Sequence, residues 1–261
     1  MSFSLIEYVL YSAAAIFAYM TVIFIVALFK KDNSIVDTAW GLGFILVAFL
    51  AFFLEREFVV RHIFVTALVL IWGSRLAVHI FIRNKGKGED FRYAQWRREW
   101  GKWFFLRSFF QIFMLQGLLL LVIAYPLILT NHSGEGGISF LDLVGVVVWI
   151  TGFFFEALGD FQLSRFKRDP GNKGRIMRSG LWKYTRHPNY FGEAVMWWGI
   201  FLIALSVNLG WTSIVSPLLI TFLLLRVSGV TMLEKKYVGN KEFEEYAQKT
   251  SAFFPWFPKK N

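Results

Sequence analysis

Apolar residues in this chain fall in long, nearly unbroken runs, with short polar segments between them. A soluble fold would interleave polar positions at period 2 or 3.6 instead. At about 20 apolar residues per crossing, the pattern predicts transmembrane helices near residues 5–29, 35–54, 58–82, 105–129, 138–158, 190–208 and 211–230. The expected fold class is all-α: a polytopic membrane protein of seven transmembrane helices, forming a single membrane domain over 1–261. The first run, from Leu5, lacks a basic leader and is read as a span. Four spans fall in residues 1–130 and three in residues 131–261.

Composition agrees with that pattern. Of 261 residues, 56% are hydrophobic and 19% aromatic, a mixture foreign to ordinary soluble domains. There is no cysteine, which excludes disulfides, thiolate metal sites and a cysteine nucleophile. The net charge of +10 would suit nucleic acid if it were spread over one face. It is concentrated in particular loops instead, so no nucleic-acid partner is expected.

Of the 28 Lys and Arg, 23 lie in the first, third and fifth connections and in the tail from Lys235. The even connections hold Arg56, with Arg61 just inside the next span, and none in "NHSGEGG" or "SVNLG". By the positive-inside rule the N-terminus faces outside and the C-terminus the cytoplasm. Attraction to anionic lipid accounts for most of these cations. The fifth connection, "FKRDPGNKGRIMRSGLWKYTRHPNY", is richer than topology requires. It adds Gly171, Gly174 and Gly180 for tight turns, and Trp182, Tyr184 and Tyr190 among the cations, a set suited to a phosphate-bearing ligand with a flat base.

Ionisable residues inside spans cost a few kcal/mol on insertion scales and usually face a bundle interior. Asp37 stands near the start of span two, Arg75 and His79 late in span three, and Glu156 and Asp160 at the end of span five. Glu193 opens span six, and Arg226 lies deep in span seven. With alternating topology all seven fall on the cytoplasmic side, which predicts one common site. Helical spacing gives Glu156 and Asp160, Asn189 and Glu193, and Trp72, Arg75 and His79 each a shared face. Plain helix-to-helix ion pairing is the competing reading of each. "GLGF" at 41–44 follows no strand and reads as close helix packing. "GKGEDFRYAQWRREW" reads as an amphipathic surface helix. The four histidines show no metal-ligand spacing, so no metal is expected.

"RHPNYFGE" at 186–193, the upstream "GDFQLSRFKRDP" and the closing "LEKKYVGNKEFEEYAQKTSAFFPWFP" resemble the steroid 5α-reductase family, in particular its bacterial members. The resemblance covers residues 150–261 well. "VDTAWG" and "WGSRLAVHIFIRNKGKGEDFRY" extend it loosely into the N-terminal half. It implies a membrane fold that binds NADPH from the cytoplasm and reduces the C=C bond of an α,β-unsaturated ketone. The N-terminal half would then hold an apolar, membrane-soluble substrate, and the loops of the C-terminal half the cofactor. Carried over by motif, Asn189 and Glu193 hold the nicotinamide region, Asp160 is the acid of the preceding helix, and Lys167, Arg168 and Arg175 bind phosphate. Arg226 resembles the arginine of the last helix. Glu156, Arg165, Tyr184, Arg186, His187 and Tyr190 complete the expected cofactor set. The family's carbonyl-polarising Glu and Tyr correspond here to Asp37 and Trp72, with Arg75 one turn later.

Hydride delivery to an enone leaves negative charge on the carbonyl oxygen, so a donor must stand there in a dry pocket. Trp72 has no acidic hydroxyl. A protonated Asp37 is therefore the expected donor, ranked above Trp72. Two other classes remain open. The "RHPxYxG" element also resembles S-adenosylmethionine-dependent isoprenylcysteine and phospholipid methyltransferases, in which His187 and Tyr190 would line the cofactor pocket. Against that stand Glu193, Asp37 and the lack of a Glu-Glu pair where this chain has "LEKK". A transporter would show internal repeats and broken midplane helices, and only Pro126 and Pro217 hint at breaks. A monomer is plausible, in a cell inner membrane if bacterial or the endoplasmic reticulum if eukaryotic.

Overall fold

A computed structural model describes residues 3–55, 59–134 and 137–259. Arg56, and Glu135 and Gly136 of "NHSGEGG", lie outside the described residues. Every regular element among the described residues is helical, and one isolated parallel bridge joins Thr185 to Ser251. Among the described residues, six helical stretches are long and apolar enough to cross a bilayer: Leu5–Lys30, Ile35–Leu54, Val60–Asn84, Phe91–Ile123, Phe140–Arg168 and Gly210–Tyr237. The sixth predicted span is helix Pro188–Ala204, whose 17 residues rise about 25 Å. That is just short of the six.

The chain divides into two compact units, Met1–Ser139 with Ala204–Ser213, and Phe140–Ile203 with Ile214–Asn261. In the first unit, α1 (Leu5–Lys30) opens on a capping box in which Ser4 and Glu7 satisfy each other's backbone N–H groups. Helices α2 (Ile35–Leu54) and α3 (Val60–Asn84) cross at Gly41 and Gly73. A methyl added to Gly41 would lie 2.6 Å from the Gly73 carbonyl oxygen, so the backbones touch as the "GLGF" reading expected. The stretch expected as a surface helix is α4 (Phe91–Trp100), and it leads straight into the fourth apolar run. A 3-10 turn at Gly101–Trp103, α5 (Phe104–Arg107), a π-helical segment (Ser108–Met114) and α6 (Leu115–Ile123) complete this 33-residue stretch. It stops ahead of Pro126, which cannot donate to the helix ladder, and α7 (Tyr125–His132) restarts with that proline in its first turn.

In the second unit, α8 (Phe140–Arg168) runs 29 residues, ten beyond the predicted end at 158. Arg165, Lys167 and Arg168, expected in a loop, therefore stand on its last turn. Helix α9 (Pro188–Ala204) packs against it with almost no side-chain spacer: an added methyl on Gly152 would meet the Gly192 oxygen at 2.6 Å, and one on Gly145 the Gly199 oxygen at 2.7 Å. Glycines at 145, 152 and 159 recur every seven residues, two helical turns, and so keep one face of α8 free of side chains. Then come α10 (Val215–Phe222), a π-helical turn (Leu223–Val227), α11 (Val230–Glu234) and the amphipathic α12 (Lys241–Lys249), capped by Asn240.

Candidate functional site

The glycine contacts fix the polar residues of the second unit. Gly192 lies so close to α8 that an added methyl would meet the Glu156 nitrogen at 2.4 Å, and the ring of Pro188 covers Gly159. Glu156 and Asp160 are thereby buried beside the first turn of α9. There Asn189 donates from Nδ2 to Asp160 Oδ1 at 3.1 Å. Its other polar atom, Oδ1, is buried and accepts nothing. An amide carbonyl withdrawn from water without a donor costs free energy.

The loop ahead of α9 is held from several sides. Gly180 has φ +63°, and a side chain there would strike Gln162, whose Oε1 accepts from Leu181 N at 3.0 Å. Trp182 donates its indole N–H to the Gly159 oxygen at 3.1 Å, and the Tyr246 hydroxyl donates to the Trp182 oxygen. Burial pushes the Tyr246 phenol well above the ordinary tyrosine range.

Arg186 and His187, expected at the cofactor, turn to Glu234. The Arg186 guanidinium grips both carboxylate oxygens, at 2.8 and 3.0 Å, and donates to the Ala247 and Thr250 carbonyls at 3.0 and 2.5 Å. His187 Nε2 lies 3.0 Å from Glu234 Oε1, and its ring stacks on Tyr190 with centroids 5.5 Å apart. Four of five guanidinium hydrogens are thus used within the chain. This is a clamp on the tail. The Tyr184 backbone carbonyl accepts from Trp256 N at 2.9 Å, and its exposed ring meets Phe257 edge-on. Arg165, Lys167, Arg168 and Arg175 are exposed. Arg226 is exposed within the π-helical turn, and Glu193 is half-buried one helical turn beyond Asn189.

In the first unit Asp37 stands in the first turn of α2. Its Oδ2 accepts from the Arg92 guanidinium at 2.7 Å and its Oδ1 from the Tyr93 hydroxyl at 2.7 Å. Asp90 caps α4 and also accepts from Arg92 Nε at 2.8 Å, which aims the guanidinium at Asp37. Asp37 thus lies between a guanidinium and a phenol, both of which donate to it. The hydroxyl at this place belongs to Tyr93, buried at 3% exposure. Trp72 is buried in α3 with its ring edge-on to Phe44, while Arg75 and His79 lie partly exposed further along the same helix.

The sequence alone does not single out Tyr93, Arg92 or Glu234, which pair with Asp37, Arg186 and His187. Tyr93 closes the quoted "WGSRLAVHIFIRNKGKGEDFRY", and a tyrosine among charged residues at the head of an apolar run was the available signal.

Residues 23–250 match the family described as "Protein of unknown function (DUF1295)". The chain belongs to this family. It is 28% identical over 266 aligned positions to an uncharacterized protein of the fission yeast Schizosaccharomyces pombe, covering 88% of this chain and 74% of the yeast protein. It is also 37% identical over 81 residues to 3-oxo-5-alpha-steroid 4-dehydrogenase 1 of Bos taurus, 31% of each chain. A third similarity, 39% over 57 residues, is to steroid 5-alpha-reductase DET2 of Arabidopsis thaliana, 22% of each chain. The chain thus aligns with less than a third of these reductases' length. No solved structure matches. These partial likenesses support a membrane protein like the steroid 5α-reductases, without a bacterial assignment.

Proposed function

We propose that this DUF1295 chain is an NADPH-dependent reductase of an α,β-unsaturated ketone carried on an apolar, membrane-soluble molecule such as a 3-oxo-Δ4-steroid. We further propose that it crosses the membrane seven times, with its N-terminus outside and its C-terminus in the cytoplasm. The observation that carries the reading is Asn189: a buried amide oxygen without a donor, held by Asp160 at the head of α9 and preceded by a cation-rich loop. A carboxamide such as that of nicotinamide has the N–H group this oxygen lacks.

NADPH, when bound, supplies the hydride that reduces the β-carbon. Asn189 would hold the carboxamide edge, and Asp160 would fix the rotamer of Asn189. Glu193, one turn on, and Glu156 would frame the same polar end. Arg165, Lys167, Arg168 and Arg175 would take the phosphates, where exposed guanidinium and ammonium groups offer charge-assisted hydrogen bonds.

The substrate carbonyl needs a hydrogen-bond donor as charge builds on its oxygen. Within the first unit, the hydroxyl we assign to that role is that of Tyr93, which donates to Asp37 beside Arg92. The α-carbon would take its proton from water, giving the saturated ketone with one NADPH and one proton consumed per C=C bond reduced.

Purified protein in lipid nanodiscs is expected to gain thermal stability with NADPH, since a ligand that binds only the native state stabilises it. It is also expected to consume reduced nicotinamide when 3-oxo-Δ4 enones are added. Stabilisation by S-adenosylhomocysteine with none by NADPH would overturn the reading.

A further inference from the structure

The C-terminal segment does more than end the chain. Its backbone is fastened to the loop ahead of α9: Arg186 N donates to the Ser251 oxygen at 2.9 Å, Thr185 Oγ1 to the Phe253 oxygen at 2.8 Å, and Trp256 N to the Tyr184 oxygen at 2.9 Å. Lys259 N returns to the Lys249 oxygen at 3.0 Å. This extended strap nevertheless turns three large rings outward. Phe254, Trp256 and Phe257 are 70%, 74% and 76% exposed, although Phe253 between them and the clamp is buried.

Ring contacts fix the depth of the strap. Phe253 and Phe254 meet Phe191 at 5.8 and 6.1 Å, and Phe191 meets Phe155 of α8 at 5.1 Å. Phe191 lies in the first turn of α9, where its apolar run begins, and Phe155 lies near the end of the apolar part of α8. The strap therefore sits where apolar helix gives way to charged loop. On α8 the exposed apolar residues Val147, Ile150, Phe154 and Phe161 form a stripe at helical spacing that reaches the same level. Lys183, with its ammonium 6.0 Å from the Tyr184 ring centroid, and Lys249 and Lys259 are exposed cations along the strap.

From this geometry we propose that residues 253–259 form an interfacial anchor: the rings of Phe254, Trp256 and Phe257 lie in the headgroup layer, and the neighbouring lysines face anionic lipid phosphates. Aromatic rings with an apolar body and a polar or cationic neighbour favour this layer over water and over the hydrocarbon core. The strap is tied to residues 184–186, three positions before Asn189, so the bilayer surface sets the height of that loop. This last consequence rests on the reading of Asn189 as a cofactor residue, whereas the anchor itself does not.

The chain has no cysteine, so single spin labels can be placed without background. Labels at Phe257→Cys and, independently, Trp256→Cys are compared in nanodiscs with one at Gln248→Cys on α12. Oxygen, which concentrates in lipid, and a water-soluble nickel chelate serve as collision partners. The expected result is a higher oxygen-to-nickel collision ratio at 256 and 257 than at 248, rising further when phosphatidylglycerol replaces phosphatidylcholine. Labels at 256 and 257 that read water as 248 does would overturn the proposal. So would labels shielded from both reagents, the signature of a protein partner. The readout needs no cofactor, so its failure is distinct from a failure of the reductase reading.

Discussion

At the residue scale, the proposed reading gives Tyr93 and Asn189 separable duties. Tyr93 gives its hydroxyl to Asp37, and no other atom of its ring can donate in the same way. Tyr93→Phe keeps the ring and removes the donor. Enone reduction is expected to fall about 10²- to 10³-fold in kcat, the usual cost of one lost oxyanion donor. NADPH affinity should hold, as measured by titration. Asn189→Ala removes both the bond to Asp160 and the waiting acceptor. NADPH affinity is expected to fall about tenfold, the equivalent of one hydrogen bond of roughly 1.4 kcal/mol. A wild-type dissociation constant for that variant would release Asn189 from its role. Asn189 stands out in the sequence because it lies inside a compact motif. Tyr93 does not, because nothing local says which of several nearby polar residues turns toward a carboxylate 56 positions earlier.

At the element scale, the α8 and α9 pair depends on the absence of side chains at the crossing. Gly152→Val would drive a methyl into the Gly192 oxygen and the Met196 nitrogen, each 2.6 Å away. Both obstacles are backbone, so a whole helix must move rather than a rotamer. The expected loss is about 3 kcal/mol or more, seen as a lower melting temperature together with weaker NADPH binding. Gly88→Ala, with nothing within 4 Å, is the matched control and should leave both unchanged. The strap offers a pH test. Burial raises the folded pKa of Tyr246, so its contribution is fully present below the unfolded value of 10.0 and is lost as pH rises through the higher folded value. Proteolysis of the C-terminal segment should therefore be slow at neutral pH and accelerate only above about pH 10, and Tyr246→Phe should weaken that dependence. The sequence forecast α8 as a span but ended it ten residues early, since Phe161, Leu163 and Phe166 are diluted by charge while still lying on a continuous helix. The seven-residue glycine spacing was present in the sequence, and its meaning required the facing glycines of α9.

At the scale of the whole molecule, hydropathy and the placement of Lys and Arg give a sided chain whose topology is open to test. Single cysteines at Asn208, in the short loop after α9, and Gln248, in α12, should react with a membrane-impermeant thiol reagent from opposite sides. Asn208→Cys is expected to label from outside and Gln248→Cys only from the cytoplasmic face of inverted vesicles, and labelling of both from one side would remove the seven-span topology. By itself the sequence determined that this is a helical membrane protein, roughly where its apolar stretches begin and end, and which motifs resemble the steroid 5α-reductases. Insertion energy is summed over some twenty neighbouring residues, so it can be read locally. Only the tertiary structure decided that Asp37 accepts from Arg92 and Tyr93, and that Arg186 and His187 clamp Glu234 across 48 and 47 positions. Such pairings join residues remote in sequence through the crossing of helices, and they leave no periodic trace along the chain.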